Sequence, residues 1–269
     1  MCKNVSFPVT VFSSLALGVS SLSAFEVGKK PTDTPQLPNA PYVVHDGTRP
    51  QPRVVENVEA VEIKPPGDAI VLFDGTSLDA FWHEEGKKQP FELREDGVMV
   101  AAENSMGTQQ QFRDIQFHLE WRIPADRETK GQGGGNSGIF FMGLYELQIL
   151  QSHDNQTYPD GQATALYGQA PPLVNATAPK GEWQSYDGYF KAPVYKDGKL
   201  QSPATITALH NGVIVHAGKA YLGPTAYKSD PKYPDTHPEK GPIRLQFHGD
   251  PVEFRNIWVR ELGDYDEEK

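Results

Sequence analysis

Between residues 68 and 262 the chain alternates apolar and polar positions in short runs. The clearest is "IQFHLEWRI": Ile115, Phe117, Leu119, Trp121 and Ile123 point one way, and Gln116, His118, Glu120 and Arg122 the other. A period of two marks a strand with one buried face. "YELQIL" sets Tyr145, Leu147 and Ile149 against Glu146 and Gln148, and "IRLQFHG" sets Ile243, Leu245 and Phe247 against Arg244, Gln246 and His248. "AIVLF" and "SGIFFM" read as more fully buried strands. "FELRE" and "GVMVAA" flank Asp96-Gly97, a strong hairpin signal, and Asn211-Gly212 joins "ATITALH" to "GVIVHA". "EWQSYDGYFKA" and "EFRNIWVRE" complete a set of about eleven strands. There is no long amphipathic helical pattern and no internal repeat. This predicts an all-β fold, a jelly-roll sandwich of two antiparallel sheets.

The flanks read differently. Lys3, the apolar stretch from Phe7 to Leu22 and the small residue Ala24 predict an export signal over residues 1–24, hence a periplasmic or secreted protein. No other stretch is apolar enough to span a bilayer. Residues 25–67 are Pro-rich and weakly periodic, and predict an extended arm that lies along the domain or links to it. Residues 263–269, "GDYDEEK", predict an acidic tail.

Composition narrows the partners. The chain has 269 residues, with 25 Gly and 23 Pro, which suits many short strands joined by turns. A net charge of −10 argues against nucleic acid and anionic membranes, whose phosphates require Lys and Arg. The single cysteine, Cys2, lies within the signal, so an exported chain would have neither disulfide nor thiol chemistry.

The candidate chemistry lies on the polar faces of three strands: Glu120 and Arg122; Glu146 and Gln148; Arg244, Gln246 and His248. Half-buried strands ordinarily turn such residues to water. Here, however, the loops nearby carry Trp82, Tyr158, Tyr167, Gln169 and Asn175, and aromatic faces with a few amides suit a sugar site. The alternate positions Glu146, Gln148 and Leu150 offer one carboxylate, whereas ordinary glycoside hydrolysis uses two flanking the bond. Asp154 or Glu253 would have to supply the second. "GQGGGNSG" lacks the Lys-Ser/Thr of a phosphate-binding loop. His153, Asp154, His237, His248 and Asp250 are weak metal candidates without a spaced motif.

The blocks "AIVLFDGTSLDAFW", "EWRIP", "GGGNSGIFFMGLYELQIL", "DGQATALYGQAPPLVNA", "GEWQSYDGYFKAP", "ATITALHNGVIVH" and "KGPIRLQFHGDPVEFRNIWVREL" resemble the 3-keto-disaccharide hydrolase domain family from about Asp68 to Leu262. The resemblance implies a concanavalin-like sandwich and cleavage of a 3-keto di- or oligosaccharide or glycoside. A base removes the C2 proton made acidic by the C3 carbonyl, the C1 aglycone leaves, and water adds, giving net hydrolysis. That route needs one base and a positive or donating group at the C3 oxygen. On this reading Glu146 is the base, His248 its competitor or the leaving-group acid, and Arg122 the group that orients Glu146 or stabilises the enolate. Gln148, Gln246 and Asn136 bind hydroxyls, and Trp82 and Tyr167 stack on the ring. No cofactor is certain, although a divalent metal held by His153, Asp154 or Asp250 could act as Lewis acid. A non-catalytic glycan-binding sandwich and a conventional glycosidase stay open as alternatives. Two positions depart from the expected family pattern: Gln151-Ser152-His153 replaces Asp-Ser-Tyr, and Phe247 replaces an Asp.

Overall fold

The computed structural model describes residues 27–38, 40–82 and 90–263. The expected signal segment and residues 264–269 of the expected tail lie outside the described residues.

The larger sheet runs in the order β15 (Val213–Ala220), β14 (Thr205–His210), β11 (Gln184–Lys191), β7 (Ile115–Arg122), β17 (Glu253–Glu261), β5 (Met99–Ala101) and β4 (Phe91–Leu93). An eighth strand, β2 (Ile70–Phe73), pairs with the far half of β17. The second sheet has the order β3 (Phe81–Trp82), β6 (Met106–Phe112), β16 (Gly241–Leu245), β8 (Ser137–Phe141) and β9 (Tyr145–Ile149). Every pairing within these two sheets is antiparallel. Two ribbons lie outside them: β1 (Arg53–Val54) pairs with β10 (Val174–Asn175), and β12 (Val194–Lys196) with β13 (Lys199–Ser202). All eleven expected strands form.

The apolar faces of the two sheets meet in one core. Phe117 of β7 packs on Phe141 of β8 with ring centroids 4.7 Å apart, and Phe141 stacks on Phe190 of β11 at 4.9 Å. Trp121, Tyr186, Leu147, Ile149 and Leu245 are completely buried in it. Burial of such side chains contributes about 1.5–3 kcal/mol each, the main term holding a fold that uses almost no helix. Phe247, at one of the departing positions, packs against the same core. At the other, Gln151 is buried and its Oε1 accepts the His153 N–H at 3.0 Å.

The Pro-rich arm lies against the sandwich. His45 N–H donates to Asp160 Oδ2 (3.0 Å), Gln51 Nε2 to the Thr157 carbonyl (2.9 Å), and Val55 N–H to the Asn175 carbonyl (2.8 Å). Farther on, the arm crosses the outer face of the larger sheet. There Val61 N–H donates to Ser185 Oγ, and the Ile63 carbonyl accepts Trp258 Nε1 (3.0 Å) and Asn256 Nδ2 (3.2 Å). That face carries buried His118, bonded to Asp187 (2.6 Å) and facing Glu120 (3.4 Å). Among the described residues no helix is long and apolar enough to cross a membrane.

Candidate active site

Register places one row of side chains across the outer face of the smaller sheet. Trp82 lies opposite Gly107, Gly107 opposite Arg244, Arg244 opposite Phe140, and Phe140 opposite Glu146. Directly opposed residues of antiparallel strands share a face. The row continues into the loop 157–170, which lies along β9: Gln148 N–H donates to the Ala165 carbonyl (3.0 Å) and Thr164 N–H to the Gln148 carbonyl (2.8 Å). Leu147 bridges Leu166 in the antiparallel sense, so the next pair outward is Glu146 beside Tyr167. In the second row Gly138 lies opposite Gln148, and Gln246 N–H donates to the Gly138 carbonyl at 2.9 Å.

Glu146 is 4% exposed. Burial disfavours its charged form and pushes its carboxyl up to about 8, against a smaller opposite pull from Arg244. At neutral pH it is therefore mainly a neutral acid. Gln148 is also buried. The amide orientation that satisfies its neighbours donates its nitrogen to Glu146 Oε1 (3.1 Å) and to the Ser137 carbonyl (2.9 Å). Arg244 lays its guanidinium on the Phe140 ring, 4.0 Å from the centroid, and burial lowers its own pKa. No direct ion pair joins Arg244 to Glu146 among the described residues. Arg244 Nε and Gln246 Oε1 are buried with no hydrogen-bond partner among the described residues. A buried donor and acceptor left unmade cost free energy, and such groups in a site are ready for a ligand's oxygens and hydroxyls.

An aromatic wall closes the Glu146 end. Tyr167 and Tyr158 bring their hydroxyls to 2.8 Å. The His45 ring lies 4.3 Å from Tyr158, 5.1 Å from Tyr167 and 5.5 Å from Tyr227. The arm thus supplies part of the site. The sequence reading missed this because residues 25–67 are only weakly periodic. The only local signal was "HDG", a turn tripeptide in which His45 takes a left-handed φ of 60°.

Several expectations need correction. Arg122 does not meet Glu146. It lies on β7 in the other sheet, where Arg122 Nε donates to Glu253 Oε2 at 2.6 Å and the guanidinium covers Trp183 at 4.5 Å. Two packed sheets turn their polar faces in opposite directions, so alternation alone could not tell which strands share a site. Arg244 is the cation beside Glu146. β16 ends at Leu245, so His248 sits on an exposed bend beyond the strand and makes no hydrogen bond to Glu146. Asn136 is buried on the approach to β8, donating its Nδ2 to the Gln132 carbonyl (3.1 Å), while Trp82 is 63% exposed at the far end of the row.

The metal candidates are not gathered. Asp250 Oδ1 accepts from Arg127 (2.8 and 3.0 Å) and its Oδ2 from Asn136 N–H (2.9 Å), while Asp154 is exposed beside His153. Among the described residues no group of three or more His, Cys, Asp or Glu could hold an ion. His237 accepts the Tyr145 hydroxyl at 2.7 Å, away from these carboxylates.

Comparison with known proteins agrees with this architecture. A 3-keto-disaccharide hydrolase from Bacteroides thetaiotaomicron is 26% identical over 76% of this chain and 83% of its own length. A Parabacteroides distasonis crystal structure with a provisional glycosyl hydrolase description is 36% identical, with a TM-score of 0.70 over 84% of this chain and 100% of that one. A second from the same organism, at 20% identity and a TM-score of 0.50 over 73% of this chain and 94% of that one, shares the fold. The family described as 3-keto-alpha-glucoside-1,2-lyase-like matches residues 68–260, and the chain belongs to that family.

Proposed function

We propose that this chain cleaves 3-keto-glycosides by removing the C2 proton, expelling the C1 aglycone and hydrating the resulting 2-hydroxyglucal. One observation carries the reading: on the site face burial pushes the Glu146 carboxyl up to about 8, and beside it Arg244 keeps an Nε–H with no hydrogen-bond partner among the described residues. A base with a pKa near the working pH combines a usable charged fraction with a strong drive to take a proton. As the C2 proton moves to Glu146, charge develops on the C3 oxygen. Arg244 supplies a fixed positive charge and an unfilled Nε–H for it in a site of low dielectric. Gln148 holds Glu146 in position, and Gln246 accepts a sugar hydroxyl. Trp82 offers a face for the more distant part of the substrate. On hydration the Glu146 proton returns to C2.

The same geometry disfavours a two-carboxylate glycosidase. Glu253 faces out of the opposite sheet with Arg94 and Arg122, and Asp154 is exposed. Paired oxidised and unoxidised glucosides test the proposal. Only the 3-keto compound should yield aglycone and 2-hydroxyglucal, and Glu146→Gln should abolish this in a folded protein. Cleavage of the unoxidised glucoside would refute it, and binding without product would indicate a glycan-binding module.

A further inference from the structure

In the loop 157–170 every side chain is buried except that of Tyr167. The loop is tied to β9 by two backbone hydrogen bonds and the Leu147–Leu166 bridge, which fixes Tyr167 as the cross-strand neighbour of Glu146 on the site face. Tyr167 opens the turn that closes Leu166 on Ala170, and the Glu146 charge acts on its phenol. Among the described residues the Tyr167 hydroxyl hydrogen-bonds only that of Tyr158, and Tyr158 is completely buried beneath it. When the buried phenol donates to the outer one, the Tyr167 oxygen is occupied as an acceptor and its own proton is turned toward the substrate. The tilted His45 ring packs against both tyrosines and limits their rotation.

We propose that Tyr167 is the acid that protonates the departing aglycone oxygen, with Tyr158 orienting it. This rests on the eliminating chemistry assigned above to Glu146. In elimination the C1–O bond breaks and its electron pair stays on the aglycone oxygen. That oxygen takes the Tyr167 phenolic proton, while the C2 proton resides on Glu146. In hydration the water oxygen bonds to C1, its proton returns to the Tyr167 phenolate, and the Glu146 proton returns to C2. The two steps balance without an added reagent. Burial raises the Tyr167 phenol above its ordinary value, partly offset by Tyr158 and reinforced by Glu146, so it stays protonated until the leaving oxygen needs it. His248, exposed on its bend, is not required for this role.

The test varies the leaving group. Wild type, Tyr167→Phe and Tyr158→Phe are assayed on two 3-keto-glucosides, one bearing an acidic phenol and one an alkyl or sugar aglycone. An acidic phenol leaves without a proton, whereas an alkoxide does not. Tyr167→Phe should slow alkyl or sugar release about 100-fold or more while slowing phenol release less than about fivefold. Tyr158→Phe should show the same bias to a smaller degree. Equal loss on both substrates would overturn the acid assignment and leave Tyr167 as a wall of the pocket. If wild type cleaves neither substrate, the eliminating chemistry itself falls and the assignment with it. Thermal melts of the variants exclude misfolding as the cause.

Discussion

A β-carbon on Gly138 would stand 2.4 Å from Glu146 Oε1 and 3.0 Å from its Cγ. Only a residue without a side chain lets the carboxyl lie flat on the neighbouring strand, where Gln148 can hold it. Gly138→Ala is therefore expected to displace the carboxyl rather than break the sheet. It should lower kcat/KM on a 3-keto-glucoside at least about tenfold and cost about 1–3 kcal/mol in a denaturant titration. Unchanged kinetics would show that the carboxyl position does not matter.

Arg244 combines a stacked guanidinium with an unfilled Nε–H. Arg244→Gln keeps some bulk but removes the charge, and kcat should fall about 100-fold or more, the scale seen when a preorganised oxyanion donor is lost. Arg244→Lys should recover only part of this, because an ammonium lacks the planar fork. Full activity in Arg244→Lys would mean that charge alone is needed.

The pH dependence follows from Glu146. Only its ionised form can take a proton, so kcat/KM should rise with pH and level off above about 8. Stability runs the other way. The folded value lies above the ordinary 4.5, so the folded state holds the proton more tightly. That contribution is complete below 4.5 and is lost as pH rises to about 8. Glu146→Gln removes this single effect. Relative to wild type it should gain a few kcal/mol between pH 5 and 9, read as the difference between two denaturation series.

Arg122 serves the opposite face. It shares the 5%-exposed Glu253 carboxylate with Arg94. Arg122→Ala should leave kcat/KM within about twofold and cost about 1–2 kcal/mol, less than for an isolated buried pair because Arg94 still covers the charge. A large kinetic defect in a stable variant would return Arg122 to the site.

The arm is held on the larger sheet partly by the indole of Trp258, which donates to the Ile63 carbonyl. Trp258→Phe should cost about 1 kcal/mol for that bond, besides the loss of indole packing. It should also speed amide exchange at Val61, whose N–H bonds Ser185 Oγ nearby. Unchanged exchange there would show that the indole does not retain the arm.

Strand alternation made the sandwich legible, because each strand's own residues state which face is buried. It did not state which strands are neighbours. Arg122 and Arg244 both stand on polar faces in the sequence, and only the sheet order separates them. β6 was missed. "MGTQQQF" has Gly and consecutive glutamines where a strand usually carries branched or aromatic residues, and its pairing with β16 shifts register between Pro242 and Arg244. Yet its Gly107 sits between Trp82 and Arg244. Glu146 and Gln148 were readable because period two puts them side by side. The strongly raised pKa was not, since it depends on burial that only the packed tertiary structure supplies. His248 was projected by extending the strand past Leu245, where the chain bends.

The arm's path has a consequence for how the chain can be divided. Residues 68–260 are the family-matching stretch, but His45 reaches the site wall from outside it and Ile63 is anchored on the opposite sheet. A protein trimmed to begin at Asp68 would keep every strand of the two main sheets and lose the His45 side of the candidate site's aromatic wall. Family match and candidate site have different left-hand borders in this molecule.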